Sequence, residues 1–316
     1  MSLHKINAVE VPGNPSEADS FAACLQAALK QWGREVPYDC VAGFSGTAFS
    51  PALDKEARCP GLWMEAGADV RVEFLGDAMG FTVERGAGAA FCREGGSDRF
   101  ARRARAALSH GGVVLCRLKG GWNILNSAGN GAGVYGLVGP AGAGSLDELP
   151  PEARVYVLRP TERSLTSGEA LCAAVEFGAR LASGTCATEG VAFGGQIYDA
   201  WVNQLTRERF CPECGENEWR CAERAAGRAR GTQLSAVRFL GRACTLLEPR
   251  ATCASLREAS HTFAAMADTL APYGEAEFRR VWQDLTERTR YAADVARVRD
   301  LHKQAARHLC AAARAL

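Results

Sequence analysis

Apolar residues in the first half of this chain follow two different periods. A three- to four-residue period predicts helices, the clearest at 19–32, where Phe21, Leu25 and Leu29 share one face. The same period predicts helices over 37–44, 71–80 and 97–112. Short β-rich runs separated by glycines predict strands at 81–86, 112–119, 121–129, 133–139 and 153–160. Because the helices do not alternate regularly with the strands, we predict an α+β fold with an antiparallel sheet.

Only the helical period continues after residue 160. It predicts helices over 164–182, 195–210, 218–244, 251–274 and 276–316. The last segment carries an apolar stripe from Phe278 to Leu309, which predicts one long helix or two helices in line. The stripe is typical of core packing, and a coiled-coil dimer seam is the alternative. We therefore predict an α+β domain over 1–160 and a helical domain over 161–316.

Charge and hydropathy exclude several classes of partner. The formal net charge is +1, so no basic excess indicates nucleic acid, and the cluster at 99–108 is typical of a solvated helix face. No run approaches the roughly 18 apolar residues of a membrane span, and the first residues lack a signal core. Most of the thirteen cysteines stand singly in apolar stretches, as expected in a reducing compartment. We expect a cytoplasmic protein without nucleic-acid or membrane partners.

A cysteine knuckle is the sharpest local motif. Cys211-Pro-x-Cys214-Gly has the spacing of zinc ribbons and rubredoxins, and Cys221 follows as a third candidate ligand. No second Cys-x-x-Cys is present, so a fourth ligand would come from a partner chain or from Cys244, Cys253 or His261. Two interpretations stay open: a zinc or iron site near 211–221, or a reduced cysteine pair on a loop insertion.

Two glycine-containing segments resemble known functional motifs but do not predict the function of those motifs. Gly131-x-Gly133-x-x-Gly136 has dinucleotide-binding spacing, but the residues after it are β-like and open no helix. The motif Gly-Phe-Ser-Gly at 43–46 is one residue short of a nucleophile elbow. We predict turns at both places, with Ser45 in a pocket as the alternative at the second.

The start of the first helix offers two nucleophiles, Ser20 and Cys24. A helix N-terminus lowers a thiol pKa and can stabilise an oxyanion through its free N–H groups. Residues 19–33 (Asp-Ser-Phe-Ala-Ala-Cys-Leu-Gln-Ala-Ala-Leu-Lys-Gln-Trp-Gly) resemble the first helix of the papain-like, bacteriocin-processing cysteine peptidase fold. They resemble still more the N-terminal domain of the butirosin-biosynthesis acyltransferase and its bacterial relatives. Further segments resemble those relatives in the same order: 34–50, 108–129, 167–182 and 191–205.

The resemblance implies a papain-like fold with a Cys-His-Asp triad, but all three triad positions differ here. The nucleophile position falls on Ser20, the histidine position on Trp122 or Asn123, and the orienting position on Gly139. A nucleophile works because a base and an orienting group activate it. We therefore expect a degraded triad in which Ser20 caps the helix.

Three functions follow from these patterns. The first is a pseudoenzyme that binds a small molecule or a peptide end in the vestigial cleft. That cleft would be lined by Ser20, Ser45, Trp122, Asn123 and Asn126. The second is an acyl- or aminoacyl-transferase, or another amide-bond enzyme, that uses Ser20 or Cys24. The third is a metal protein built on the cysteine knuckle. The C-terminal helices are also expected to support a homodimer.

Overall fold

Helices and antiparallel strands occur together in this chain, as the two apolar periods predict. The computed structural model describes the following residues: 20–50, 53–54, 72–88, 99–118, 121–126, 136–139, 142–145, 153–162, 164–186, 191–206, 218–247 and 250–316. These residues form an α+β protein with a helical C-terminal region.

The chain divides into two compact units. The described residues of the sheet unit fall within Ser20–Tyr38 and Val72–Leu165, and those of the helical unit within Asp39–Arg71 and Thr166–Leu316. Residues 39–50 thus pack with the helical unit, although they precede the sheet in sequence. The two domains divided at residue 160 stay a prediction, and the packing of the chain is discontinuous.

The sheet unit joins helices to a six-stranded antiparallel sheet. With labels in chain order over both units, its elements are α1 (Ser20–Gln31), α3 (Val72–Met79), β2 (Phe81–Ala87), α4 (Arg99–Ser109), β3 (Val113–Leu118), β4 (Gly121–Asn126), β5 (Gly136–Gly139), β6 (Gly142–Ser145) and β7 (Arg154–Pro160). The strands have the order β2-β7-β3-β4-β5-β6. The predicted helices and strands of this region are confirmed over the described residues, whereas positions 127–129 and 133–135 of the predicted strands, with the glycine turn predicted there, lie outside them. Strand β6 was not predicted from its glycine-rich sequence.

The two faces of this sheet are covered by different helices. Alternate residues of β3 and β7, among them Cys116 and Val157, form one apolar cluster with Ala104 and Ala107 of α4. On the other face, α1 packs against β4 through Phe21. Both faces of the central strands are therefore buried.

The helical unit is built around its last helix. Its elements are α2 (Tyr38–Ser45, whose first residue is grouped with the sheet unit), β1 (Leu53–Asp54), α5 (Ser167–Ala182), β8 (Val191–Ala192), α6 (Gly195–Leu205), α7 (Glu218–Leu246), α8 (Arg250–Leu270), α9 (Glu275–Gln283) and α10 (Leu285–Arg314). Helix α10 packs on α5, α6 and α8, and α8 also packs on α7. A capping box between Thr166 and Glu169 starts α5 where the sequence carries a capping signal.

The tail forms two helices that are not in line, because the rings of Phe278 in α9 and Tyr291 in α10 are 5.1 Å apart, whereas 13 residues of continuous helix would span about 20 Å. The expectation of one long helix or of two helices in line is therefore wrong. Asp284 has an extended backbone and ends α9, and its side chain accepts a hydrogen bond from the N–H of Thr286 at 2.7 Å. Most of the stripe is buried within this chain, although Leu285 is 65% exposed. The buried members are Phe278, Val281, Tyr291, Val295, Val298, Ala305 and Leu309. This face serves core packing, so a dimer would need another surface.

None of the helices in the described ranges combines the length and apolar character that crossing a membrane requires.

Candidate functional site

The first turn of α1 lies against the main chain of β4. The hydroxyl of Ser20 accepts a hydrogen bond from the backbone N–H of Trp122, with 2.9 Å between the two atoms. The thiol of Cys24 donates to the carbonyl oxygen of Trp122 at 3.3 Å. Ser20 and Cys24 are one helical turn apart and therefore share a face. Together these two side chains form hydrogen bonds with the backbone N–H and the backbone carbonyl of Trp122.

Aromatic rings fill the space around this contact. The Trp122 ring stacks on Tyr156 at a centroid distance of 4.9 Å and meets the edge of Phe21 at 5.3 Å. Burial is the main cause that raises the pKa of Tyr156 to about 12. Trp122 is 1% exposed, and its indole N–H has no hydrogen-bond partner among the described residues. In this structure the ring is a core side chain.

The other residues of the predicted cleft lie elsewhere. Asn123 is opposite Cys116 in the strand pairing, so it lies on the α4 face of the sheet while Trp122 lies on the α1 face. Asn123 is 1% exposed. The backbone of Asn126 pairs with Gly136 at the end of β4, and its side chain is outside the described residues. The structure thus brings Ser20, Cys24 and Trp122 together and separates Asn123 from them.

Ser45 belongs to the helical unit and closes α2. Its hydroxyl donates to the Ala42 carbonyl at 3.0 Å and lies 2.9 Å from the Thr47 hydroxyl. A Cβ added to Gly43 would lie 2.1 Å from the ring of Phe239, so this glycine lets α2 approach α7 closely. The predicted turn is confirmed, and Ser45 is fully buried in it.

No described histidine of the sheet unit is near Ser20. His110 lies at the end of α4, where its Nδ1 contacts the Ala106 carbonyl at 2.6 Å. The next residue, Gly111, accepts from the indole of Trp32, which directly follows α1. The 12 residues of α1 span about 18 Å at a rise of 1.5 Å per residue. His110 is thus near the far end of α1 from Ser20 and cannot act as its base.

The candidates for a fourth metal ligand within this chain lie too far from Cys221. Cys211 and Cys214 lie outside the described residues, and Cys221 lies near the start of α7. Cys244 is 23 residues further along this helix, about 35 Å away at 1.5 Å per residue. Cys253 contacts the Cys244 carbonyl at 3.4 Å and is equally distant.

His261, the remaining candidate, is also far from Cys221. Its neighbour Ser260 contacts the Val237 carbonyl at 3.5 Å, and Val237 is about 24 Å along α7 from Cys221. The expectation that Cys244, Cys253 or His261 completes a site with Cys221 is therefore wrong. In the described part of the chain, no group of three or more His, Cys, Asp or Glu residues is placed to hold a metal.

Sequence reasoning missed a groove in the helical unit. It has a volume of about 810 Å³ and lies between the end of α5, the start of α6 and one face of α10. Its polar lining residues include Gln196, Lys303, Arg307 and Arg314, together with the carboxylates of Asp199 and Asp300. Two signals could have found it: a Gly-Gly pair at the start of a helix, and cations four and seven residues apart in the tail.

Some charged side chains along this groove form ion pairs and others do not. Arg299 forms ion pairs with Asp199 at 3.0 Å and with Asp300 at 2.9 Å. Hydrogen bonding to Arg299 lowers the pKa of the Asp300 carboxyl. Lys303, Arg307 and Arg314 form no ion pair within 4 Å of a described residue, although the charge of Lys303 also helps to lower the pKa of Asp300. A cationic surface is left along α10.

No protein-family model and no curated protein matches this chain.

Proposed function

We propose that this chain has a papain-like sheet unit that has lost peptidase chemistry and that binds a small molecule or a peptide. The hydrogen bond between Ser20 and Trp122 carries this proposal. The family resemblance assigns the nucleophile to position 20 and the histidine to position 122 or 123. The hydrogen bond joins these two regions, although they are 102 residues apart in sequence. A helix N-terminus against a central strand is the arrangement that the resemblance implies.

The residues at these positions lack the means to activate a nucleophile. A serine hydroxyl needs a nearby base, and neither the indole of Trp122 nor the amide of Asn123 is one at neutral pH. The Ser20 oxygen already accepts a backbone N–H, and it is buried. The orienting position, Gly139 at the end of β5, has no side chain. These features support binding rather than hydrolysis.

Binding at this place requires movement of the covering residues, because Ser20, Trp122 and Asn123 are at most 3% exposed. A ligand that enters between α1 and β4 should therefore change hydrogen–deuterium exchange in both elements. Short peptides and small acyl compounds are the first probes. Exchange that changes in the helical unit alone would contradict a ligand site at the vestigial cleft. A cytoplasmic location, supported by thirteen cysteines, is part of the same proposal.

Covalent labelling tests the loss of catalysis. The full chain is incubated with a fluorophosphonate and with an acyl thioester, and intact mass and peptide hydrolysis are measured. We expect no adduct at Ser20 or Cys24 and no hydrolysis. The matched variants are Ser20→Ala and Cys24→Ala. A stoichiometric acyl adduct that either variant abolishes would overturn the proposal and establish the transferase alternative.

The metal alternative now depends on Cys211, Cys214 and Cys221 with a fourth ligand other than Cys244, Cys253 or His261. Zinc and iron are measured in protein purified without chelators. Stoichiometric metal that Cys214→Ser removes would establish a site, whereas Cys244→Ser should leave the metal content unchanged because Cys244 lies about 35 Å from Cys221.

A further inference from the structure

We propose that the groove at the start of α6 binds the phosphate group of a small organic molecule. This inference goes beyond the proposed function and uses other residues. It stands on an open groove of about 810 Å³, on unpaired cations along one wall, and on backbone donors at one end.

The cations lie on a single face of α10. Lys303, Arg307, Cys310 and Arg314 are separated by steps of four, three and four residues, which places them along one stripe. From Lys303 to Arg314 the stripe is about 16 Å long. All four side chains line the groove, and the three cations are exposed. The stripe thus presents positive charge along the whole wall.

Backbone donors meet this stripe at the start of α6. The residue before the helix is Gly194, which has no side chain to cap it. Within the described residues, no group accepts a hydrogen bond from the N–H of Gly195 or Gln196. A Cβ added to Gly195 would lie 3.2 Å from Cε of Lys303, so the lysine stem passes over the first turn. Uncapped N–H groups and an ammonium group attract the same anion.

The carbonyl oxygens at the end of α5 border the same groove, but other groups already donate hydrogen bonds to them. The Ala182 carbonyl accepts from Nε2 of His302 at 3.1 Å. The three preceding carbonyls, of residues 179–181, accept from backbone N–H groups of Ser183, Gly184 and Thr185. Neutralising α5 therefore does not explain Lys303 and Arg307, because the carbonyls that they could serve already have donors.

The charge of the wall fits a dianion. Arg299 with its two aspartates carries one net negative charge. Lys303, Arg307 and Arg314 then bring the wall to a net charge of about +2, and the α6 dipole adds to it. A phosphate ester carries a charge of about −1.5 to −2 at pH 7, whereas a carboxylate carries −1. The groove is larger than a phosphate ion and has the size of ordinary small-molecule sites, so an organic portion fits beside the phosphate.

Inorganic phosphate is the first probe, added to the full ¹⁵N-labelled chain, with sodium chloride at matched ionic strength as the comparison. We expect phosphate to shift the amide resonances of Gly195 and Gln196 in a saturable manner, and chloride to leave them unchanged. A sugar phosphate should bind more tightly than either phosphate or the unphosphorylated sugar, because the groove also accommodates the organic portion.

Charge-removing variants assign the site. Lys303→Gln and Arg307→Gln should each weaken phosphate binding about tenfold, as expected for a lost hydrogen bond to a charged group. Arg297→Gln is the matched control, because Arg297 is exposed on the same helix but does not line the groove. Circular dichroism verifies that each variant is folded.

Three results would overturn the proposal. They are an absence of saturable shifts at Gly195 and Gln196, equal affinity for acetate and phosphate, and equal weakening by all three substitutions. The outcome is separable from the proposed loss of catalysis, which depends on Ser20 in the sheet unit. Acylation of Ser20 would leave phosphate binding intact, and failure of phosphate binding would say nothing about Ser20.

Discussion

The starts of α1 and α6 are both helix N-termini beside residues of chemical interest, but their surroundings differ. At α1, Ser20 is 3% exposed and its hydroxyl holds the backbone of Trp122. At α6, Gln196 is exposed, and Lys303, also exposed, passes over Gly195. A helix dipole is present in both places. Only at α6 can a solvent-borne anion reach it.

This difference shows why a nucleophile near a helix start is weak support for catalysis. The motif that looks catalytic in sequence is used to join α1 to β4, because Ser20 and Cys24 satisfy the polar groups of a buried strand residue. The motif that looks inert, the Gly194–Gly195 pair at the start of α6, leaves backbone N–H donors accessible. Accessibility is set by tertiary packing, which neither motif encodes.

The largest expected effect on stability concerns the buried contact between α1 and β4. Trp122→Ala removes a buried ring that stacks on Tyr156 and contacts Phe21, and it should lower the free energy of unfolding by about 3–5 kcal/mol. Urea unfolding followed by circular dichroism measures it. Trp219→Ala is the control, since Trp219 is half-buried and its ring lies against the guanidinium groups of Arg279 at 4.6 Å and Arg220 at 5.2 Å. Equal losses in the two variants would show that Trp122 is not a core residue.

Local patterns predicted most helices and strands because the spacing of apolar residues directly reflects burial of one face. The end of α1 follows from the predicted glycine stop at Gly33, and the start of the helix at 167–182 follows from its predicted capping signal. The expected cap at Ser20 is wrong, because Ser20 lies within α1 and its hydroxyl accepts from the N–H of Trp122 instead. β6 was missed because Gly-Ala-Gly-Ser carries no β-branched residue. The grouping of residues 39–50 with the helical unit was missed because it depends on long-range packing, such as Phe49 against Phe239 at 5.6 Å.

The candidate site was harder to predict than the fold. The neighbouring positions 122 and 123 entered one cleft in the sequence interpretation, whereas strand alternation places their side chains on opposite faces of the sheet. The groove along α10 needed three separate segments to come together: 182–184, 195–199 and 300–314. No single segment has a diagnostic motif, so only the tertiary structure reveals the groove.

Acid should destabilise the α6 region through His302. Burial is the main cause that lowers the pKa of this imidazole to about 4, and the hydrogen bond to Ala182 opposes the shift. Because the folded-state pKa is below the unfolded value of about 6.5, the unfolded chain binds more protons between these values. Stability is therefore full above pH 6.5 and falls as the pH is lowered towards 4, by about 3 kcal/mol.

Urea unfolding at several pH values tests this, with His302→Gln compared with the wild type. The variant should lose less stability across the window, because the titrating group is gone. His261→Gln, an exposed residue on α8, should behave like the wild type. Identical pH dependence of the wild type and His302→Gln would exclude a buried, neutral His302.

The paired glycines at α6 should respond differently to the same substitution. Gly194 has φ +69°, and an added Cβ would lie 2.7 Å from the Ala182 carbonyl oxygen. Gly194→Ala should therefore lower the free energy of unfolding by about 2 kcal/mol. Gly195→Ala meets only the flexible end of Lys303 and should change it by less than about 0.5 kcal/mol. Thermal unfolding measures both, and equal effects would mean that Gly194 does not hold the α5–α6 junction.

The smallest effect is expected from a substitution that adds a negatively charged side chain at the uncapped start of α6. Gly195→Asp places a carboxylate in the first turn of α6, beside Lys303 and the uncapped N–H groups. It should raise the free energy of unfolding by about 0.5–1 kcal/mol, less at high salt. The same carboxylate should compete with phosphate and abolish its binding. Gly195→Asn is the uncharged control and should leave more of the phosphate binding. Destabilisation by the aspartate alone would show that this helix start already has a full complement of negative partners, and the contrast with α1 would then disappear.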